Sequence, residues 1–236
     1  MRPDARQEVI MDKRYSVAID GPSGAGKSSV ARKTAEKLGF LYVDTGAIYR
    51  TVGLAAFRRG IPSRDRDGVI AMLPDLDISL RHGEDGLQHM FLDGEDVTGD
   101  IRLPEISIYA SDVSALPEVR AYLMEMQRRL AREHNVIMDG RDIGTVVLPD
   151  AGLKIFLTAG SEARARRRWL ELKEKGRETP FEEVLRDIEY RDRNDSERAA
   201  APLKAADDAV WLDSSDIDFE QTCETVERLI RERFSL

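Results

Sequence analysis

The sequence predicts an α/β fold, a parallel β-sheet core flanked by helices, with an α/β segment inserted in mid-chain. Three observations carry the prediction. Short apolar runs of strand length alternate with longer stretches of helical periodicity, the pattern of βαβ units. The first run stops at a glycine-rich stretch that opens into a helical pattern. In mid-chain, two apolar runs flank turn residues so closely that they form an antiparallel hairpin rather than a crossover.

Residues 16–20 are β-compatible, and helical periodicity follows over 27–38 with Gly39 as the stop. Residues 40–44 read as a second strand and 47–59 as a second helix, ended by Gly60 and Pro62. Residues 76–81 and 89–93 are the hairpin strands; 82–86 supply turn chemistry and Gly94 follows the second strand. Segment 74–113 is therefore set apart as an inserted lobe between core segments 15–73 and 114–236. A helix over 117–133 leads back to the core, with strands at 135–139 and 153–157. Helices at 161–175 and 181–194 are separated by Gly176 and Pro180. A strand at 210–213 and an amphipathic helix at 219–234 close the chain, and residues 1–14 read as a loose tail.

Composition excludes several classes. Forty-four acidic against 36 basic residues give a net charge of -8, which argues against a surface built for nucleic-acid polymers or anionic membranes. A single cysteine, Cys223, rules out an intrachain disulfide and a cysteine zinc cage, and reads as a small apolar residue on a helix. Three histidines, His82, His89 and His134, do not suggest a His-rich metal centre. No apolar run approaches the roughly 20 residues that span a bilayer. The N-terminus lacks the apolar segment of a secretory signal, so the reading places the protein in the cytoplasm.

One motif carries phosphate chemistry. Gly21-Pro22-Ser23-Gly24-Ala25-Gly26-Lys27-Ser28 fits G-x-x-x-x-G-K-[ST] at every fixed position, between a strand and a helix. Glycines let backbone N–H groups turn inward around phosphate oxygens, and the helix N-terminus aims its positive end at the same place. Lys27 can reach the transferring phosphate, and Ser28 can ligate Mg²⁺. Motors, switches and small-molecule kinases share this loop, so it does not name a reaction.

Further segments do. Asp20–Ser28, the run DTGAIYR ending at Arg50, GEDVTGDIR ending at Arg102, DGRDIGT ending at Thr145, and Ala201-Pro202-Leu203 occur in that order. Together they resemble the cytidylate kinases, within the nucleoside monophosphate kinase family, from about residue 15 to the C-terminus. The resemblance implies phosphoryl transfer from ATP to CMP or dCMP with Mg²⁺, in a monomer with a parallel core sheet, an acceptor-binding insert and a mobile lid. It implies that ATP lies against Gly21, Pro22, Ser23, Gly24, Ala25, Gly26, Lys27, Ser28 and Ser29, and that the lid spans about 160–180.

It also implies an acceptor site. Arg50, Arg141 and Arg198 would grip the CMP phosphate, with Thr45 beside them. Arginine suits this because its planar fork matches phosphate and its charge does not titrate away. Ser111, Arg120 and Asp142 would read cytosine, whose N4 amine donates while N3 and O2 accept. Asp195, helped by Arg191, would hold the sugar. Arg191, Asp195 and Arg198 stand at i, i+4 and i+7, along one helical face. Between Arg193 and Glu197 the chain is less basic than the family commonly is.

Two aspartates keep two readings each. Asp139 ends an apolar strand and either holds Mg²⁺ through water or supports the following loop. Asp20 is either a strand-end cap or a partner of the Mg²⁺ shell. In the run Arg164-Ala165-Arg166-Arg167-Arg168, Arg164 and Arg168 stand at i, i+4 and are expected to face the phosphates of ATP. Surrounding glutamates weaken an RNA reading of that run. The alternatives are a kinase for UMP or AMP, or a P-loop switch or RNA-binding NTPase; the latter would need a guanine-reading motif or a net basic face.

Overall fold

The computed structural model describes residues 14–83, 87–174 and 176–236, so the expected tail before residue 14 and the hairpin turn at 84–86 lie outside the described residues. From the start, β1 (Ser16–Asp20) leads into α1 (Lys27–Leu38), β2 (Leu41–Asp44), α2 (Thr45–Arg58) and α3 (Arg66–Met72). The insert follows with β3 (Ile78–His82), β4 (Gln88–Leu92), β5 (Glu95–Asp96) and α4 (Pro104–Ser114). α5 (Pro117–Glu133) returns to β6 (Val136–Gly140) and, after a π-helical turn, β7 (Leu153–Thr158). Then come α6 (Ser161–Glu174), α7 (Phe181–Glu197), β8 (Val210–Asp213) and α8 (Phe219–Phe234).

The main sheet has five parallel strands in the order β2-β6-β1-β7-β8; β3-β4-β5 form a separate antiparallel sheet. β1 is central because its residues are apolar on both faces: Val17, Ala18 and Ile19 are completely buried. Successive side chains point to opposite faces. Val17 and Ile19 join Ile137, Ile155, Val226, Ile230 and the buried Cys223 under α1 and α8. Ala18 joins Val43, Ile48, Val52 and Met138 under α2. That second cluster continues without a break into the insert through Met90, Val97, Ile101, Ile106 and Val113. α6 and α7 close a smaller cluster of their own around Ala165, Val184 and Ile188.

Element ends follow local chemistry. Gly39, at φ 67°, terminates α1 in the left-handed conformation that glycine adopts without strain. α2 begins at Thr45, two residues before the periodicity begins, because the Asp44 carboxylate caps it by accepting from Ala47 N–H. α3, of seven residues, and β5, of two, are too short for their period to be read from sequence. α7 runs to Glu197, leaving Arg198 as its C-cap. Among the described residues, no helix is long and apolar enough to cross a membrane.

Candidate active site

β1 and β6 lie side by side with their carboxyl ends together, and the loops that leave them form the floor of one cleft of about 1250 Å³. β1 delivers the glycine-rich loop. Gly21 (φ 151°) lies so close to β7 that an added Cβ would run into the Leu157 carbonyl oxygen, so this position excludes any side chain. Ser23 to Ser29 line the cleft; the expected Gly21 and Pro22 do not, because the chain is still pressed against β7 at Gly21. Gly26 caps α1 with no side-chain hydrogen bond, so the first N–H groups of α1 face the cleft. Lys27 is 5% exposed, and its Nζ donates to the Pro22 carbonyl at 2.8 Å. Burial, then the Arg141 charge, lower its pKa well below the usual lysine range.

Asp139, on β6 next to the loop, accepts from Ser28 Oγ at 2.9 Å and from Tyr42 OH at 2.8 Å, one on each carboxylate oxygen. Its pKa is raised by burial and then by the neighbouring Asp44. The Asp139 carbonyl accepts from Thr45 Oγ1 at 2.7 Å, which fixes the entry to α2. Asp20 is a cap: its carboxylate oxygens accept from the Ile143 and Gly144 N–H groups at 2.8 and 2.7 Å. Burial pushes its pKa up to about 6 despite those two bonds.

Five cationic side chains from different parts of the chain converge on the rest of the cleft. Arg50 Nη2 donates to Asp44 Oδ2 at 2.9 Å, while its Nε is buried with no hydrogen-bond partner. Arg141 Nε donates to Asp195 Oδ2 at 2.6 Å. Arg191 Nη1 donates to Ser23 Oγ at 3.2 Å. Arg120 and Arg198 flank the buried Asp142: Arg120 Nη2 donates to Asp142 Oδ2, and Arg198 Nη2 stands 3.6 Å from Oδ1. Arg120 also donates to the Ser114 carbonyl at 3.2 Å and lies over the Tyr49 ring. Burial, then the like charge of Arg120, lower the pKa of Arg198. Ser111 lines the same wall from α4.

The expected pair Arg164 and Arg168 separates. Arg168 lines the cleft, with Nη1 donating to Glu171 at 2.8 Å. Arg164 does not line it. The first turn of α6 is packed against the phosphate loop, so its guanidinium is buried and donates to the Ala159 and Ser23 carbonyls and to Asp192. Helical spacing put the two on one face but could not say that this face is covered at one end and open at the other. The cleft also holds residues to which sequence reasoning assigned no role: Asp44, Tyr42, Tyr49, Arg102, Arg167 and Arg177. Arg102 closes the GEDVTGDIR segment and stands 3.4 Å from the Asp44 carboxylate. Motif membership marked Asp44 and Arg102, but their meeting is tertiary.

Comparison with known sequences gives one consistent result. The sequence model of the family "Cytidylate kinase" matches residues 17–232. A cytidylate kinase from Caldicellulosiruptor bescii is 50% identical over 214 residues, 91% of this chain and 94% of its own length. One from Caldanaerobacter subterraneus is 51% identical over 222 residues, 94% of this chain and 97% of its own length. Among solved structures, a shikimate kinase from Bacteroides thetaiotaomicron aligns with 94% of this chain and 99% of its own, at 14% identity and a TM-score of 0.47.

Proposed function

The chain belongs to the cytidylate kinase family and transfers the γ-phosphoryl group of ATP to CMP or dCMP; from that premise we propose how its cleft divides between the two nucleotides. ATP lies with its phosphates in the loop Ser23–Ser29, where the first N–H groups of α1 and Lys27 neutralise phosphate charge. Arg168 approaches from the lid, which spans about 160–180 and contains α6. The acceptor phosphate is gripped by Arg50, Arg141 and Arg198, with the Thr45 hydroxyl at the floor. Arg50 Nε, buried without a partner, supplies a donor for that phosphate.

The observation that carries the acceptor assignment is Asp142, buried between Arg120 and Arg198 in the same cleft as the phosphate loop. A carboxylate accepts from the N4 amine of cytosine, Arg120 and Ser111 donate to its acceptor edge, and uracil would turn a carbonyl toward Asp142. The sugar lies toward Asp195 and Arg191, and the insert 74–113 contributes Ser111 and Arg102 to this side.

In the reaction, an oxygen of the ionised acceptor phosphate attacks the γ-phosphorus. The bond to the β-phosphate oxygen breaks and ADP leaves. The nucleophile is already an anion near neutral pH, so no side chain needs to remove a proton. The protein's work is to hold two anions in line and spread charge over the transferring oxygens. Closure of lid and insert excludes water, so that ATP is not simply hydrolysed. Oxygen donors suit Mg²⁺: the Ser28 hydroxyl and, through water, the buried Asp139 carboxylate 2.9 Å from it would hold the ion together with ATP oxygens. The bound ion would offset charge on the ATP phosphates.

A monomer is proposed on the family resemblance, and a cytoplasmic enzyme fits a reaction that draws on ATP. The test is product formation from ATP with CMP, dCMP, UMP and AMP side by side, for the wild type and Asp142→Ala. Loss of discrimination between CMP and UMP in the variant is expected; an unchanged ratio overturns the base-reading role.

A further inference from the structure

Arg164 heads a hydrogen-bonded cluster at the edge of the cleft that phosphate handling does not use. Its side chain is 5% exposed, and all three guanidinium nitrogens are engaged. Nε donates to the Ala159 carbonyl at 2.7 Å and Nη1 to the Ser23 carbonyl at 2.8 Å. Nη1 and Nη2 donate to the two Asp192 carboxylate oxygens at 2.9 and 2.5 Å. One guanidinium thus joins the exit of β7, the phosphate loop and α7.

The joint is close-packed. A Cβ added at Gly24 would stand 3.2 Å from Ile188 Cδ1 and 3.3 Å from Arg164 Cβ. Asp192 stands three residues before Asp195, under one turn of a helix that rises about 1.5 Å per residue. The same helix carries Arg191 and ends at Glu197, with Arg198 as its C-cap.

We propose that Arg164 and Asp192 are a positioning pair that sets α7 against the phosphate loop, so that ATP in the loop and CMP against α7 strengthen each other's binding. This rests on the reading above of which α7 residues face CMP. A bidentate arginine–carboxylate pair fixes orientation as well as distance. The Ser23 carbonyl belongs to the loop whose N–H groups take the ATP phosphates. Where the loop settles on those phosphates decides where Arg164 sits, hence where Asp192 and the following turn of α7 sit. The coupling is reciprocal: CMP must tighten ATP by the factor by which ATP tightens CMP.

The experiment is calorimetric titration of CMP with and without a saturating non-hydrolysable ATP analogue and Mg²⁺. It compares the wild type with Arg164→Met, Asp192→Ala, the double variant and Asp195→Ala. Arg164→Met keeps the aliphatic stem in place. Asp192→Ala is the safer for folding, because Asp192 is only partly buried and alanine is the best helix former. The wild-type enzyme is expected to bind CMP about 10-fold tighter with the analogue present, within the usual range for coupled sites. Each single variant is expected to bring that ratio below about twofold while CMP alone binds within about threefold of wild type. The double variant is expected to match the singles, because both substitutions break one link.

A wild-type ratio near one overturns the proposal, as does a wild-type ratio retained in either single variant or additive losses in the double variant. Asp195→Ala is expected to weaken CMP in both conditions and keep the ratio. Unchanged CMP affinity in Asp195→Ala would instead remove the reading of α7 as an acceptor-binding helix, separately from the outcome at Asp192.

Discussion

Replacing Asp142 by alanine separates what its carboxylate does for the fold from what it does for the substrate. Asp142 and Arg120 are 4% and 5% exposed, and their ion pair lies in the wall of the cleft. Removing one partner of a buried pair leaves an uncompensated charge and costs about 3–5 kcal/mol. Arg120 would keep its bond to the Ser114 carbonyl and its place over Tyr49, so the low end, about 3 kcal/mol, is expected. For a chain of this size, about 2–4 °C per kcal/mol lowers Tm by roughly 6–12 °C. On the substrate side, losing a hydrogen bond to a charged group is worth about 1.5–3 kcal/mol, or a CMP-over-UMP preference reduced roughly 10- to 150-fold. Asp142→Asn, which keeps the volume and one acceptor, is expected to fall between. Initial rates with CMP, dCMP and UMP measure the preference, and thermal denaturation measures the pair. A preference untouched while Tm drops would make Asp142 a structural partner of Arg120 and nothing more. An unchanged Tm would refute the buried-pair estimate itself.

Three further outcomes are expected. Lys27→Ala should lower kcat about 100- to 1000-fold in a coupled ADP-release assay; normal turnover by a folded variant would remove the phosphate-loop assignment. Gly21→Ala should cost about 3 kcal/mol or more in urea denaturation, because the methyl group meets the Leu157 carbonyl of β7; a wild-type midpoint would show that the strands can part there. Asp20 titrates near pH 6 in the folded chain against an ordinary 3.8, so the folded state holds its proton longer than the unfolded state. The wild type therefore loses stability as pH rises from about 4 to 6, by an amount on the order of 2 kcal/mol, relative to the non-titrating Asp20→Asn. A gap between the two that does not change from pH 4 to 7 would contradict this sign.

Much of the architecture is legible along the chain because it depends on local pattern. The alternation of apolar strands with helical periods marks the five-stranded parallel sheet, and the close pair of runs marks the β3–β4 hairpin. Glycine at 39 marks a helix end through its own backbone chemistry, whereas the Asp44 cap that starts α2 at Thr45 is not read from the helical period. The phosphate loop is legible for the same reason: its function follows from consecutive N–H groups, and consecutive residues are what a sequence displays. α3 and β5 escaped because a helix of seven residues and a strand of two hold too little periodic signal.

Tertiary structure decided the electrostatics. Neighbours 22 to 141 residues apart in sequence determine the state of each group: Arg120 beside Asp142, Arg141 beside Asp195, and Arg164 against Ser23 and Asp192. Two arginines four apart on α6 looked equivalent from sequence, yet one is buried in the joint with the phosphate loop and the other lines the cleft. Asp20 and Asp139 each end an apolar strand; one caps the turn after β6 and the other meets Ser28 and Tyr42. Composition and motif order determined that this acidic chain handles small phosphorylated ligands. Which charges face them was set by burial and by partners brought together in folding, because the free energy of a charge depends on its surroundings in space.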